Sequence, residues 1–263
     1  MLDSKLLTAA ERRSRIVQLV LEREMVRVAD MVRDFGVTDT VIRRDLVLLE
    51  SERRLRRIHG GAVATPGHQR AESFTEKMRM QMAEKQRIGA AAAELIEPGE
   101  VLLFDSGTTT LQVVMSSPPP LRAANALTFV TNSFPIVEEM HAWPAPNLIL
   151  LGGMYLPDYQ ATVGPQAVSH LLQFTADKVF LGADGLTLEG GITTAHVLMA
   201  EVGRLMAERA RQVIVVTDSS KLGRAGFVPI VPLNRIHRLI TDSNAPAELV
   251  SAIRTDGIEV TLV

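Results

Sequence analysis

Five short polar stretches carry the residue types that can hold a small, anionic, hydroxyl-bearing molecule: Asp105-Ser106-Gly107-Thr108-Thr109-Thr110, Thr131-Asn132-Ser133, Gly152-Gly153, Gly182-Ala183-Asp184-Gly185 and Thr217-Asp218-Ser219-Ser220-Lys221. Backbone amides at a helix start, a glycine and clustered hydroxyls suit a phosphate group. Lysine adds a point charge for phosphate, while aspartate and asparagine offer oxygens and amides to sugar hydroxyls. Taken alone, the first stretch reads equally as an ordinary capped turn. It is not a Walker loop, because no Gly-Lys-Ser/Thr follows, and a GxGxxG fingerprint is absent. A different chemistry lies nearer the start, in Thr40, Arg43 and Arg44 and then Arg53-Arg54-Leu55-Arg56-Arg57-Ile58-His59. Arginine donates two bonds to guanine O6 and N7, or pairs with phosphate.

The elements that must position these residues follow from periodicity. Thr8-Ala9-Ala10-Glu11 has capping-box spacing and predicts a helix start, with Ile16, Leu19 and Val20 as its apolar face. Glu24 to Arg27 breaks that pattern. Val28, Met31, Val32 and Phe35 make a second stripe that Gly36 ends, and Thr38 caps a third helix almost at once. Two short helices joined so tightly, after a first, are a helix-turn-helix. At about 100° per residue, Ile42, Leu46 and Leu49 share one sector of the third helix, whereas Thr40 and Arg44 point away and Arg43 flanks them. Val47 and Leu48 also fall outside the core sector, free to meet a wing or a thymine methyl. Leu55 and Ile58 among arginines, closed by Gly60-Gly61, predict a basic β-wing along the phosphate backbone; a solvated helix end is the plainer alternative.

A polar stretch from Thr65 to about Met82 reads as a linker. Beyond it, Ile88, Ala92, Leu95 and Ile96 predict a helix. Short apolar strands are predicted at Val101–Phe104, Thr128–Val130, Asn147–Leu151, Lys178–Leu181, Val213–Val216 and Leu239–Thr241, with helical segments between most of them. Such alternation predicts a largely parallel sheet covered on both faces, and ligands bind beyond the carboxyl ends of its strands. The five polar stretches follow five of those strands. Ser116 to Pro120 is expected to be a surface loop.

Bulk properties bound the function. The 263 residues, 46% hydrophobic, suit a small domain plus a larger one. Net charge is −2, but residues 1–60 carry +3 and the remainder −5, so the basic excess sits with the predicted DNA-binding head. The absence of cysteine excludes disulfide scaffolds, thiolate metal sites and thiol nucleophiles. Aromatics at 4% argue against stacking platforms for single strands. Scattered histidines predict no metal site. With no secretory leader and no apolar run near the roughly 18 residues of a membrane span, a soluble cytoplasmic protein is expected.

Val37-Thr38-Asp39-Thr40-Val41-Ile42-Arg43-Arg44-Asp45-Leu46, Leu49-Glu50 and Arg57-Ile58-His59-Gly60-Gly61-Ala62 resemble the signature of the DeoR family of bacterial regulators, and the later polar stretches resemble its sensor half. The resemblance covers essentially the whole chain, with departures at Val41, where the family commonly has threonine, and at Arg53, where it tends to have glycine. It implies an N-terminal winged helix-turn-helix (1–64), a linker (65–82) and a Rossmann-like α/β sensor domain (83–263) akin to ribose-5-phosphate isomerase and the CoA-transferases. It implies a repressor of carbohydrate-metabolism genes, binding a double-stranded operator as a homodimer or homotetramer and answering to a phosphorylated sugar, without a cofactor.

The DNA contacts are then expected from Thr38, Thr40, Arg43, Arg44, Arg56, Arg57 and His59. The resemblance assigns phosphate contacts to Ser106, Gly107, Thr108, Thr109 and Lys221, and sugar contacts to Asp105, Asn132, Gly153 and Asp184. Lys85 joins them, with a merely solvated lysine as its alternative. A rival reading is a sugar-phosphate isomerase-like enzyme with a DNA-binding head, for which Glu201, Asp105 or Asp184 could supply a general base. Those isomerases use a longer acidic run where this chain continues Gly185-Leu186-Thr187.

Overall fold

Thr8 and Glu11 form the capping box that their spacing requires: the Thr8 N–H and hydroxyl each donate to Glu11 Oε2 at 2.8 Å, and the Glu11 N–H donates back at 3.3 Å. This opens α1 (Ala9–Arg23) in a computed structural model that describes residues 8–23, 25–51, 55–58, 60–63, 73–122, 126–144 and 146–263. The chain divides into two compact units, Met1–Ala71 and Glu72–Val263.

In the first unit the broken pattern after α1 is a strand, β1 (Met25–Arg27), with Val26 buried between exposed neighbours. Helix α2 (Val28–Phe35) stops at Gly36, whose φ of 64° is left-handed and whose N–H returns to the Val32 carbonyl. Helix α3 (Asp39–Ser51) buries Ile42, Leu46 and Leu49, the predicted sector, against Ile16, Val20 and Met31. Strands β2 (Arg56–Ile58) and β3 (Gly61–Val63) form the wing, and β1 completes an antiparallel sheet ordered β1-β3-β2. Leu55 is buried in the core of this unit. Ile58 stays exposed.

The second unit starts inside the expected linker. Ser73 and Glu76 form a full capping box, so residues 73–79 build α4 (Phe74–Arg79) instead of open chain, and Phe74 is buried. Six residues are too few to show helical periodicity, so only the Ser-x-x-Glu spacing marks the element. Then follow α5 (Met82–Ala93), β4 (Val101–Phe104), α6 (Thr108–Met115), β5 (Thr128–Thr131), α7 (Phe134–Met140) and β6 (Asn147–Leu150). The Pro-rich stretch after α6 is not wholly loop: Pro119–Arg122 makes one 3-10 turn that buries Leu121. A hairpin, β7 (Met154–Leu156) and β8 (Ala161–Val163), precedes α8 (Pro165–Leu171) and β9 (Ala176–Leu181). The chain continues through β10 (Gly185–Thr187), β11 (Gly191–Thr194), α9 (Val197–Arg209), β12 (Ala210–Val216), β13 (Val228–Val231), β14 (Arg238–Thr241), α10 (Ala247–Thr255) and β15 (Glu259–Leu262).

Seven strands form one parallel sheet ordered β15-β14-β12-β9-β4-β5-β6. Alternate residues feed two cores: Leu103, Val179, Leu181, Val213 and Val215 face α8, α9 and α10, while Leu102, Phe104, Phe180, Ile214 and Val216 face α5, α6 and α7. Phe104 stacks on Phe129 and Phe180 at 5.5 and 5.0 Å between ring centroids. The chain winds outward from β4 through β5 to β6, then returns to the other side of β4 as β9. The order therefore reverses between β4 and β9, and a crevice opens beyond their carboxyl ends. A small antiparallel sheet, β10-β11-β13, flanks it.

Candidate functional site

In the first unit, α3 turns Thr40, Arg43 and Arg44 outward opposite its buried stripe, and Thr38 is exposed at its start. Arg43 is paired with Asp39 one turn earlier. Arg57 donates both its N–H and its Nε to Glu50 at 2.8 Å, which ties the wing strand to the end of α3. These N–H donors hold the Glu50 carboxyl below its ordinary value. Such exposed pairs are weak and exchange readily for phosphate. Among the described residues Arg44 is in no ion pair, and Arg56 on β2 is exposed. Behind this face the buried Asp45 carboxylate accepts from Arg12 at 2.7 Å and lies 3.8 Å from Arg13, locking α3 to α1. Val47 and Leu48 are exposed, as their angles require. His59 and Arg53 lie outside the described residues.

In the second unit the crevice at the β4/β9 reversal is a partly open cavity. Its wall includes Ser106, Gly107, Thr108 and Thr109 from the β4–α6 turn, Asn132 after β5, Gly182 and Asp184 after β9, and Asp218, Ser220 and Lys221 after β12. Four of the five polar stretches thus meet in one place. The Leu111 N–H reaches back to the Gly107 carbonyl at 3.1 Å, so the amides of Thr108, Thr109 and Thr110 form the first turn of α6, where no i−4 carbonyl of the helix is available to them. That is the geometry of an anion seat.

Asp105 also lines the cavity, and its carboxylate is engaged by groups of its own chain. One carboxylate oxygen accepts from the Gly107 N–H and the Thr110 hydroxyl, and the other from the Gly182 N–H, each at 2.8 Å. It braces the turns after β4 and β9 against each other. Burial pushes its carboxyl up, and those three donors pull the other way without cancelling the rise. Asp184 is the opposite case. Burial raises its carboxyl, but the Lys77 ammonium, the Thr194 hydroxyl at 2.8 Å and the Ala195 N–H at 3.2 Å outweigh it and hold it below the ordinary range. Asp242, at the end of β14, accepts from the Ser219 N–H at 2.6 Å and the Asn244 N–H at 3.2 Å, fixing the turn that carries Lys221.

Lys85 is buried, not solvated. Its ammonium donates to the Met80 carbonyl at 2.7 Å and to that of Lys77, capping α4 from within the cavity wall. Asn132 is fully buried; its amide donates to the Thr162 carbonyl at 2.9 Å, while its Oδ1 has no hydrogen-bond partner among the described residues. Gly153 does not join the others. It lies where β7 leaves against β8, and a Cβ there would stand 2.5 Å from the Val163 carbonyl, so backbone closeness explains the glycine. Glu201 is exposed on α9 and does not line the cavity.

Cavity residues that escape sequence reasoning include Phe74 and Lys77 on α4, Tyr159 at the β7–β8 tip and Thr194 on β11. The capping spacing at Ser73 could have revealed α4. Nothing local marks Tyr159, which reaches the cavity only because its hairpin folds back over it. Among the described residues no group of three His, Asp or Glu side chains could hold a metal ion, and no helix is long and apolar enough to cross a membrane.

Two family models match the chain, a DeoR-like helix-turn-helix domain over residues 12–66 and a DeoR C terminal sensor domain over residues 80–243. A putative aga operon transcriptional repressor of Escherichia coli O157:H7 is 32% identical, the match covering 99% of this chain and 96% of the relative. The HTH-type transcriptional repressor GlcR of Bacillus subtilis is 30% identical over 95% of both. Among solved structures, the full-length sorbitol operon regulator SorC from Klebsiella pneumoniae aligns with a TM-score of 0.40 and 11% identity over 94% of this chain and 99% of that one. Ribose 5-phosphate isomerase A from Methanocaldococcus jannaschii aligns with 0.39 and 17% over 52% and 53%.

Proposed function

The chain belongs to the DeoR family of transcriptional regulators, and on that premise we propose that it represses carbohydrate-metabolism genes, its grip on operator DNA being set by a phosphorylated sugar in the β4/β9 cavity. One observation carries the reading. The open first turn of α6 and Lys221, suited to phosphate, line the same cavity as Asn132 and Asp184, suited to sugar hydroxyls. Ser106, Gly107, Thr108, Thr109 and Lys221 hold the phosphate; Asn132 and Asp184 meet hydroxyls; Asp105 and Lys85 shape the seat from behind. On the first unit, Thr38, Thr40, Arg43 and Arg44 read the major groove, while Arg56, Arg57 and His59 follow the backbone.

The geometry gives little support to turnover. A general base must stand free beside the reacting carbon. Asp105 spends its carboxylate on three donors of its own chain, Asp184 is held ionised by Lys77, and Glu201 is elsewhere.

Regulation requires the ligand to favour one DNA-binding arrangement, a coupling of typically about 1–3 kcal/mol that is reciprocal. The experiment is a thermal-shift screen of phosphorylated sugars on the purified chain, followed by duplex binding with and without the hit, the duplex being selected from random sequence by the protein itself. Arg44→Ala is expected to abolish selectivity among duplexes and keep the ligand shift; Lys221→Ala is expected to do the reverse. Equal loss of both activities in either variant overturns the division of labour.

A further inference from the structure

The hairpin between β6 and α8 delivers a group that the reading above does not use. Its tip is built for placement: the Tyr159 N–H bonds the Leu156 carbonyl and the Gln160 N–H bonds the Pro157 carbonyl, both at 3.2 Å. Gln160 then takes a left-handed φ of 48°, unfavourable for a residue with a side chain. The Asp158 carbonyl accepts from the Phe74 N–H at 2.6 Å, and the Gln160 carbonyl from the Phe134 N–H at 3.0 Å, so both sides of the tip are anchored. The result is a phenol ring lining the cavity, with the Lys77 ammonium 5.5 Å from its centroid and the His196 ring edge-on at 5.6 Å.

The end of that ring is unfinished. The Tyr159 hydroxyl is buried and has no hydrogen-bond partner at bonding geometry among the described residues. Thr194 is close by and gives its hydroxyl proton to Asp184, and its oxygen does not stand at bonding geometry to accept from the phenol. An orphaned buried hydroxyl is costly, and a fold that strains its backbone to keep one there is expected to satisfy it in another state. Burial first, then the Asp184 carboxylate, push this phenol far above its ordinary pKa against a small opposing effect of Thr194, so it remains a protonated donor. Across the same cavity Asn132 Oδ1 is an orphaned acceptor.

We infer that Tyr159 is a specificity-determining contact that donates a hydrogen bond to an oxygen on the organic part of the effector, making the cavity selective for an oxygen-rich sugar phosphate over its deoxy counterpart. This rests on the sugar-phosphate reading of the cavity. A site that donates to a ligand oxygen rejects the analogue without it, because the donor is then buried unpaired. Lys77 and His196 hold the ring and make no contact with the ligand in this role.

The test is Tyr159→Phe in the full chain, which keeps the ring and removes one oxygen. Binding is measured by calorimetry for inorganic phosphate and for ribose 5-phosphate, glucose 6-phosphate and their 2-deoxy forms, on wild type, Tyr159→Phe and Lys221→Ala. The expected result is a Tyr159→Phe protein that melts no lower than wild type, binds inorganic phosphate equally, and binds the tightest sugar phosphate roughly tenfold more weakly, about one hydrogen bond. Unchanged sugar-phosphate affinity overturns the inference and assigns the hydroxyl to a bound water. Equal weakening of phosphate and sugar phosphate overturns it too, as a change of the whole wall. If no phosphate compound binds wild type, or Lys221→Ala changes nothing, the reading of the cavity fails and this inference goes with it.

Discussion

Asp105 lines the cavity and at the same time braces the two turns that form it. Asp105→Ala leaves the Gly107 and Gly182 N–H groups and the Thr110 hydroxyl without their acceptor, and is expected to cost about 3 kcal/mol in urea denaturation, with the crevice losing its ligand shift. Asp184 makes a pH prediction with a defined sign. Its native carboxyl titrates below the unfolded value of about 4, so its contribution to stability is complete above that value and is lost as pH falls through the lowered native one. Lys77→Met removes the main compensation for burial, and its loss of stability on acidification is expected to begin at higher pH than in wild type when unfolding is followed from pH 7 to 3. Residue types and spacing were enough to put Ser106 to Thr109, Asn132, Asp184 and Lys221 on strand ends that meet. They could not show that Asp105 braces two turns, nor that Gly153 lies outside the cavity, because both depend on which backbone lies opposite.

The elements were legible where they repeat a pattern over several residues. The sectors of α3 and six of the seven parallel strands follow from periodicity, since a strand buried on both faces is an unbroken apolar run between turns. Strand β15 is exposed at the sheet edge with polar alternate residues, and β10, β11 and β13 are held by tertiary pairing, so none announces itself. Helix α4 is the instructive intermediate, too short for periodicity yet marked by its cap. Ser73→Ala removes that cap and is expected to cost about 1 kcal/mol, lowering the melting point of the second unit by about 2–4 °C, as calorimetry would read. Gly36→Ala forces a side chain into a left-handed turn and is expected to destabilise the first unit by about 1 kcal/mol while leaving sugar-phosphate binding intact.

At the scale of the molecule, the basic head and the acidic remainder behave as two units with separate cores. Residues 72–263 expressed alone are expected to melt cooperatively and to keep the ligand shift of the full chain; a fragment that fails to fold would show that the head is part of its core. Binding to two half-sites about one helical turn apart requires at least a homodimer, which sedimentation of the full chain would register. Helix α4 links these scales through chain order alone. It begins three residues into the second unit, and it is also the roof under which Lys77 grips Asp184. Parting those two is expected to loosen the capped turn at Ser73, which would be read as faster amide exchange there.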